Sequence, residues 1–448
     1  MQTSELYNIF LKHPNVTTDS RDCPEGSIFF ALKGASFDGN RFAAAALDKG
    51  CAYAVVDEPE YAAPGDTRYI VVGDCLEAMR QLALYHRRQL GTPVIGITGT
   101  NGKTTTKELT AAVLSKRYNV LYTEGNFNND IGVPKTLLRL TPRHDIAVVE
   151  MGASHPGDIR HLVEIVEPDY AVITNVGRAH LQGFGSFEGV VRTKGELYDF
   201  MRTRNDWGEP EARIIKPGMK RCVFIDNDNP HLTAMAAGLG LVRYGCNAAE
   251  GLWAEGRVES CDPALAFGWR HGAEHHSVQT HLIGAYNITN MLAAVSIGLY
   301  FGVDAALIDE ALAGYQPSNN RSQFEQTADN RLIVDAYNAN PTSMAAALDN
   351  FAAIHAEGKM AIIGDMKELG AVSHDEHQKI ADRLAASDIP TVWLVGQEFE
   401  GCSVPPHFRL FDNVEQVEQA IAADKPRGRY ILIKGSNGTR LFRLPPML

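Results

Sequence analysis

Gly96-Ile97-Thr98-Gly99-Thr100-Asn101-Gly102-Lys103-Thr104-Thr105-Thr106, directly after the apolar Pro93-Val94-Ile95, is the stretch that decides the fold. An apolar run entering a glycine-rich turn predicts a short buried strand, and the helix predicted after it runs over Lys107–Ser115. Strand, glycine turn and helix in that order make a seat for a nucleotide phosphate. Successive backbone N–H groups and the helix dipole face the anion, Lys103 neutralises phosphate charge, and the Thr104 hydroxyl can ligate magnesium. Gly99 and Gly102 let the backbone approach closely. The usual phosphate-loop pattern has a glycine where this chain has Ile97. The competing reading, an ordinary glycine turn, is disfavoured by the flanking strand and helix.

More phosphate-handling chemistry follows. Ile146-Ala147-Val148-Val149 is an apolar strand that ends on Glu150, where a phosphate-loop enzyme holds a second magnesium contact, directly or through water. A second such strand, Tyr170–Thr174, ends at Asn175-Val176-Gly177-Arg178-Ala179-His180. A lone histidine is more often structural than a ligand, but beside the loop and Glu150 the ligand reading of His180 is preferred.

Composition bounds the alternatives. A chain of 448 residues has room for about two to four domains. Its net charge of −12 disfavours a general nucleic-acid binder. The seven cysteines (Cys23, Cys51, Cys75, Cys222, Cys246, Cys261 and Cys402) are scattered without metal-ligand spacing, as free thiols of a reducing cytosol would be. Met1–Lys12 carries Glu5 and lacks the basic start and apolar core of a signal peptide. There is no run of about 18 apolar residues to span a membrane. A soluble cytoplasmic protein is expected.

Three regions are predicted. Residues 1–88 mix strands (Ser27–Leu32, Ala52–Val56, Tyr69–Val72) with helices over Phe42–Lys49 and Cys75–Gln89. Over residues 89–315 strands ending in Gly, Asn or acidic residues alternate with helices, the pattern of a doubly wound parallel sheet. Helices over Asn287–Phe301 and Ala305–Ala313 close that region. Residues 316–448 open with the polar linker Gln316-Pro317-Ser318-Asn319-Asn320. Strands Leu332–Val334, Met360–Ile363, Thr391–Val395 and Tyr430–Ile433 then make a smaller α/β domain. Arg202–Lys220 is polar, contains Pro210 and Pro217-Gly218, and is predicted to be an exposed loop.

At the level of motifs the chain resembles the Mur ligases, ATP-dependent enzymes that add amino acids to the peptidoglycan precursor. Gly99–Thr105 is similar to the family's ATP loop, which also lacks the first phosphate-loop glycine. Four further segments resemble the members that add D-alanyl-D-alanine. They are Gly125-Asn126-Phe127-Asn128-Asn129-Asp130-Ile131-Gly132-Val133-Pro134, Asp335-Ala336-Tyr337-Asn338-Ala339-Asn340-Pro341, Gly364-Asp365-Met366-Lys367-Glu368-Leu369-Gly370 and Ile433-Lys434-Gly435-Ser436. Asp19-Ser20-Arg21 and Ala31-Leu32-Lys33-Gly34 resemble the amino-terminal domain that holds the UDP end of the substrate. The Asn-Pro-Arg signature of the sister ligase that adds the third peptide residue is absent from the sequence.

The resemblance implies a fold of three α/β domains. A UDP-substrate domain (1–88) precedes a central ATP-binding phosphate-loop domain (89–315) and a Rossmann-like carboxyl-terminal domain (316–448). The implied reaction joins D-alanyl-D-alanine to UDP-N-acetylmuramoyl-tripeptide through an acyl phosphate, with ATP and magnesium, in a monomer without nucleic-acid or membrane partners. Thr104, Glu150 and His180 are then implied around the metal, and Gly99, Thr100, Asn101, Gly102, Lys103, Thr104 and Thr105 around the triphosphate. Asn287 and Asn290 are implied at the adenosine, although helix capping is an alternative for each. Arg321 and Asp335 would reach the nucleotide from the last domain. Lys103, His180 and Lys194 are the implied catalytic residues. Lys194 stands where several members carry a carbamylated lysine, and an unmodified helix lysine is the alternative. Ser20, Arg21, Asn126, Asn128, Asn129, Asn338, Asn340, Lys434 and Ser436 are implied in substrate binding. Two other readings share the ATP loop: a folylpolyglutamate synthase-like or other Mur-type ligase, and a binding protein switched by nucleotide without ligation.

Overall fold

The structure is a computed structural model that describes residues 1–34, 36–205, 219–317 and 321–448. Among the described residues three larger sheets follow one another along the chain, beside a two-stranded antiparallel ribbon of Lys33–Gly34 and Phe37–Asp38. The first is four-stranded and parallel, in the order Val16–Thr17, Ile28–Phe30, Tyr53–Val56, Tyr69–Val71. The helix Cys75–Leu90 starts where the Asp74 side chain accepts from Glu77 N–H and stops at Gly91 in the left-handed region. It leads into the second sheet and is fastened there. Buried Arg87 donates to the carbonyls of Val166 and Glu167 and pairs with Asp169 at 3.0 Å.

The second sheet has nine strands. From one edge they run Val120–Tyr122, Ile146–Glu150, Val94–Thr98, Tyr170–Ile173, Cys222–Asp226, Leu241–Gly245, Ala254–Cys261, Ala264–His271, Glu274–Ile283. The first seven are parallel. Val94–Thr98, Ile146–Glu150 and Tyr170–Ile173 are buried at every residue because helices cover both faces, which explains their unbroken apolar runs. Ile95, Ile97, Val148 and Val172 pack with helices Lys103–Leu114 and Ile288–Tyr300 on one face. Val94, Ala147, Val149 and Ile173 pack with Asp158–Val166 and Phe187–Asn205 on the other.

The third sheet has six strands, in the order Gln323–Gln326, Arg331–Asp335, Tyr430–Lys434, Lys359–Gly364, Thr391–Val395, Arg409–Phe411, all parallel except the first. Helices Pro341–Ala353 and Ser373–Ala385 cover one face, and Val414–Ala423 with the carboxyl-terminal turns covers the other. Strands and helices therefore alternate as expected, with three differences. The helix after the phosphate loop begins at Lys103 rather than Lys107. Its three successive threonines are β-branched and read as poor helix formers, but Gly102 O accepts from Thr106 N–H at 2.8 Å and starts the ladder earlier. Residues 254–283 are an antiparallel meander with no helix between strands, where alternation was expected. Edge strands Gln323–Gln326 and Arg409–Phe411 were not foreseen; both are short and half exposed, so they carry little apolar pattern. Arg202–Asn205 ends a helix, while 206–218 of the expected loop and 318–320 of the linker lie outside the described residues. None of the described helices is long and apolar enough to cross a membrane.

Candidate functional site

The carboxyl ends of strands Val94–Thr98, Ile146–Glu150 and Arg331–Asp335 face one cleft of about 760 Å³, as open α/β sheets favour. The loop 99–102 is set by backbone. Gly99 has φ +141°, and a Cβ there would stand 2.0 Å from Thr174 Oγ1; Gly102 has φ +77°, and a Cβ there would meet Asn290 Oδ1 at 2.5 Å. Thr100 N–H donates to Asn175 O at 3.0 Å and Asn101 N–H to Asn175 Oδ1 at 2.9 Å, so the next strand end braces the loop. Lys103 Nζ folds back onto the carbonyls of Gly99 (2.8 Å) and Thr100 (3.0 Å). Burial lowers its pKa to about 8, with Glu150 opposing and Arg321 adding to the shift.

Glu150 is 1% exposed. Its Oε1 accepts from Thr104 Oγ1 at 3.2 Å and from Asn128 Nδ2 at 2.8 Å. Its Oε2 is buried without a hydrogen-bond partner, with Lys107 Nζ 4.0 Å away. An orphaned carboxylate oxygen beside a hydroxyl at a phosphate loop is the donor set that suits magnesium, so these residues fit the metal the motif implies. His180 lines the same cleft. Its Nδ1 is bonded to Glu368 from the third region, and burial lowers its pKa despite that carboxylate. Among the described residues no group of three or more His, Cys, Asp or Glu side chains forms a metal cluster.

Asn287 and Asn290 line the cleft and bond to each other, Asn290 Nδ2 donating to Asn287 Oδ1 at 2.8 Å. Neither accepts the capping hydrogen bond of the alternative reading: Asn287 stands at the cap position without one, and Asn290 lies inside the helix. Across the cleft the Arg321 guanidinium lies 3.8 Å over the Tyr337 ring, its Nε buried without a partner. Asp335 pairs with buried Lys434 at 2.6 Å, and Lys434 also donates to Asn338 O. Asn101 and Asn340 exchange amide hydrogen bonds at 2.7 and 3.4 Å, and Asn340 Oδ1 caps the next helix.

The cleft thus gathers Thr100–Thr105, Asn126, Asn128, Asn129, Glu150, His180, Asn287, Asn290, Arg321, Asp335, Asn338 and Lys434. It does not gather Ser20 and Arg21, which stand in the turn between strands Val16–Thr17 and Ile28–Phe30 with Arg21 paired to Asp19. Lys194 does not line it either. That lysine is 2% exposed with its ammonium 5.6 Å from the Phe184 ring, and burial, then Lys103, holds its pKa well below the usual lysine range. Ser436 is buried with its Oγ unpartnered. Beside it a second cavity of about 250 Å³ opens at the ends of strands Lys359–Gly364 and Thr391–Val395, lined by Asp365, Lys367 and Arg440 among others. Asp365 Oδ2 pairs with Lys367 at 2.7 Å, its Oδ1 is unpartnered, and burial raises its pKa.

Arg80, Asp130, Tyr337 and Glu368 also line the cleft and were not foreseen as site residues. Glu368 had a signal: it sits within Gly364–Gly370 and takes φ +62° ahead of Gly370. Non-glycine residues in the left-handed region cluster here, His180, Ser322 and Glu368 on the cleft and Arg440 on the second cavity.

Sequence models of three domain families match the chain: the Mur ligase family catalytic domain over residues 13–95, the Mur ligase middle domain over 97–298 and the Mur ligase glutamate ligase domain over 320–437. The UDP-N-acetylmuramoyl-tripeptide--D-alanyl-D-alanine ligase of Escherichia coli K12 is 36% identical over 87% of this chain and 82% of its own. MurF ligase from Thermotoga maritima, solved in complex with ADP, superposes with a TM-score of 0.82 at 26% identity, covering 98% of this chain and 97% of its own. The UDP-N-acetylmuramoylalanyl-D-glutamyl-2,6-diaminopimelate--D-alanyl-D-alanyl ligase of Acinetobacter baumannii superposes with a TM-score of 0.81 at 28% identity, covering 99% and 97%.

Proposed function

The chain belongs to the Mur ligase family, and we propose that within it the protein joins D-alanyl-D-alanine to UDP-N-acetylmuramoyl-tripeptide at the expense of ATP. The observation that carries this reading is the meeting of the phosphate loop, orphaned Glu150 Oε2 and the asparagine loop 126–129 in one cleft closed by Arg321. The tripeptide's terminal carboxylate attacks the γ-phosphate of ATP, releasing ADP and forming an acyl phosphate. The dipeptide amine then displaces phosphate and forms the amide. The protein needs no covalent nucleophile; it must bring two anions together and hold them.

Each residue has a part in that task. Loop amides 100–105 and Lys103 hold the triphosphate, and Asn287, Asn290, Arg321 and Asp335 hold the nucleoside. Arg321 reaches from the third region, so it binds only when that region lies against the loop. Thr104 and Glu150 would hold magnesium, which supplies charge neutralisation on the phosphates. His180, whose pKa burial lowers and whose ring Glu368 orients, accepts the proton that the dipeptide ammonium must lose before attack. Burial, then Lys103, lowers the Lys194 pKa and so favours the neutral amine that adds carbon dioxide; the carbamate would set an anion beside Lys103. Asn126, Asn128, Asn129 and Asn338 position the tripeptide, and Ser20 and Arg21 hold its UDP end. Lys434 and Ser436 stand between the cleft and the second cavity, where the dipeptide is received. Regions 1–88, 89–315 and 316–448 act as three bodies of one monomer, in the cytoplasm, on the path to peptidoglycan and so to cell shape and division.

The test is incubation with ATP, magnesium, UDP-N-acetylmuramoyl-tripeptide and D-alanyl-D-alanine, with mass detection of the pentapeptide product and ADP. Product dependent on every component is expected. ATP hydrolysis without an amide product would instead support a nucleotide switch, and stimulation by folate would support a folylpolyglutamate synthase-like activity.

A further inference from the structure

The helix Cys75–Leu90 carries Arg80 from the first region to the wall of the cleft, against the loop that bears Asn128 and Asp130. Arg80 Nη2 donates to Asp130 Oδ2 at 3.3 Å, and Glu77 lies 3.9 Å from Nη1. The Nε is buried with no partner at all. A guanidinium has five N–H donors in a planar fork, so most of its hydrogen-bonding capacity is unused here. Asp130 is in the same condition: its side chain is 49% exposed and bonded through one oxygen. A cation and an anion side by side, each with capacity to spare, complement a group that carries both charges on one carbon.

Their position says which part of the substrate meets them. Asn128, two residues from Asp130, donates to Glu150 Oε1, and Glu150 faces the phosphate loop. When the tripeptide's terminal carboxylate lies at that centre, the side chain of the same residue is the group within reach of the loop. We propose that Arg80 and Asp130 form the subsite for the side chain of the tripeptide's last residue, and that they select one ending in an ammonium and a carboxylate together. Diaminopimelate has that ending; lysine has the ammonium alone. This inference rests on the ligase reading above.

The selection has a physical cause. The diaminopimelate carboxylate takes the free fork of Arg80 while its ammonium takes Asp130. A lysine ammonium would reach Asp130 only by standing against the guanidinium, and it offers the free donors of Arg80 no acceptor. The plainer role for the pair, fastening the helix to the loop, would affect all substrates alike.

The experiment measures kcat/KM with ATP, magnesium and D-alanyl-D-alanine for UDP-N-acetylmuramoyl-tripeptides ending in meso-diaminopimelate and in L-lysine. The unaltered protein is expected to favour diaminopimelate by on the order of 10-fold or more. Arg80→Gln is expected to remove that preference through KM for the diaminopimelate substrate, with lysine unchanged or improved. Asp130→Asn is expected to lower both, since both carry the ammonium. Arg80→Lys keeps the charge without the fork and is expected to recover part of the preference, which a folding defect would not do. Equal use of both tripeptides, or an equal loss on both in Arg80→Gln, overturns the inference and leaves the ligase reading standing. Absence of product from either tripeptide overturns the ligase reading and the inference with it.

Discussion

The two walls of the main cleft are built by different means. The nucleotide wall is mostly backbone: one contiguous loop, held by two glycines whose Cβ atoms would collide with Thr174 and Asn290, and braced by the next strand end. The acceptor wall is mostly side chains, brought from the first region (Arg80), from the loop 126–130 and from the residues around Asp158. Phosphate is the same in every nucleotide, so a fixed backbone cradle suffices. A substrate with a particular peptide needs donors placed individually, and those come from distant segments. Damage to the first wall should therefore abolish chemistry, while damage to the second should change which substrate is used.

The largest expected effect is on the nucleotide wall. Lys103→Ala removes the charge that lets a carboxylate approach a triphosphate, and kcat is expected to fall by on the order of 10²-fold or more with the fold intact. Turnover near that of the unaltered protein would break the contrast between the walls. Next comes Glu150→Ala, which removes the orphaned oxygen and is expected to shift the magnesium titration to higher concentration. An unchanged titration would take Glu150 out of the metal's surroundings. Arg321→Ala is expected to raise KM for ATP by roughly 10-fold while kcat changes less, since one stacked, charge-bearing contact is lost. A selective change in kcat instead would place Arg321 at the reacting phosphate.

How much of each wall was legible follows from the same difference. The phosphate loop could be read from eleven consecutive residues, because strand, glycine turn and lysine are local signals. Glu150 and Asp335 were legible as strand-terminal carboxylates. Arg80 was not: nothing in Cys75–Leu90 distinguishes it from a solvated helix arginine until the helix is docked beside residues 126–130. The pairing of His180 with Glu368 was hidden for the same reason, being separated by 188 positions. The antiparallel meander 254–283 was missed because its strands alternate polar and apolar residues on a partly exposed edge, a weaker pattern than the buried central strands. The early helix start at Lys103 was missed because three threonines argue against helix locally, and only the Gly102 carbonyl overrides them.

A smaller effect sharpens the picture of the nucleotide wall. Burial holds the Lys103 pKa at about 8, so near pH 8 about half of these lysines are neutral before nucleotide binds. A bound triphosphate favours the cation and should raise that pKa. Nucleotide binding at pH 8 is then expected to take up about half a proton, seen as a dependence of the calorimetric heat on the buffer's ionisation enthalpy. The uptake should fade toward pH 6, where the amine is already charged, and Lys103→Ala should lack it. The same shift has a sign for stability. Between about 8 and the usual lysine value the unfolded chain holds more protons at this site, so its contribution to stability rises with pH across that window. An uptake that persists unchanged in Lys103→Ala would assign the proton elsewhere.

The central claim is that ATP is spent on activating the tripeptide's carboxylate in this cleft. Oxygen-18 placed in the terminal carboxylate of UDP-N-acetylmuramoyl-tripeptide tests it most directly, by mass analysis of the inorganic phosphate released with D-alanyl-D-alanine present. One labelled oxygen in each phosphate, in step with amide formation, is expected, because the acyl phosphate bridges through a carboxylate oxygen. Unlabelled phosphate released at the same rate would mean that water attacks the nucleotide and that the cleft does not join the two substrates.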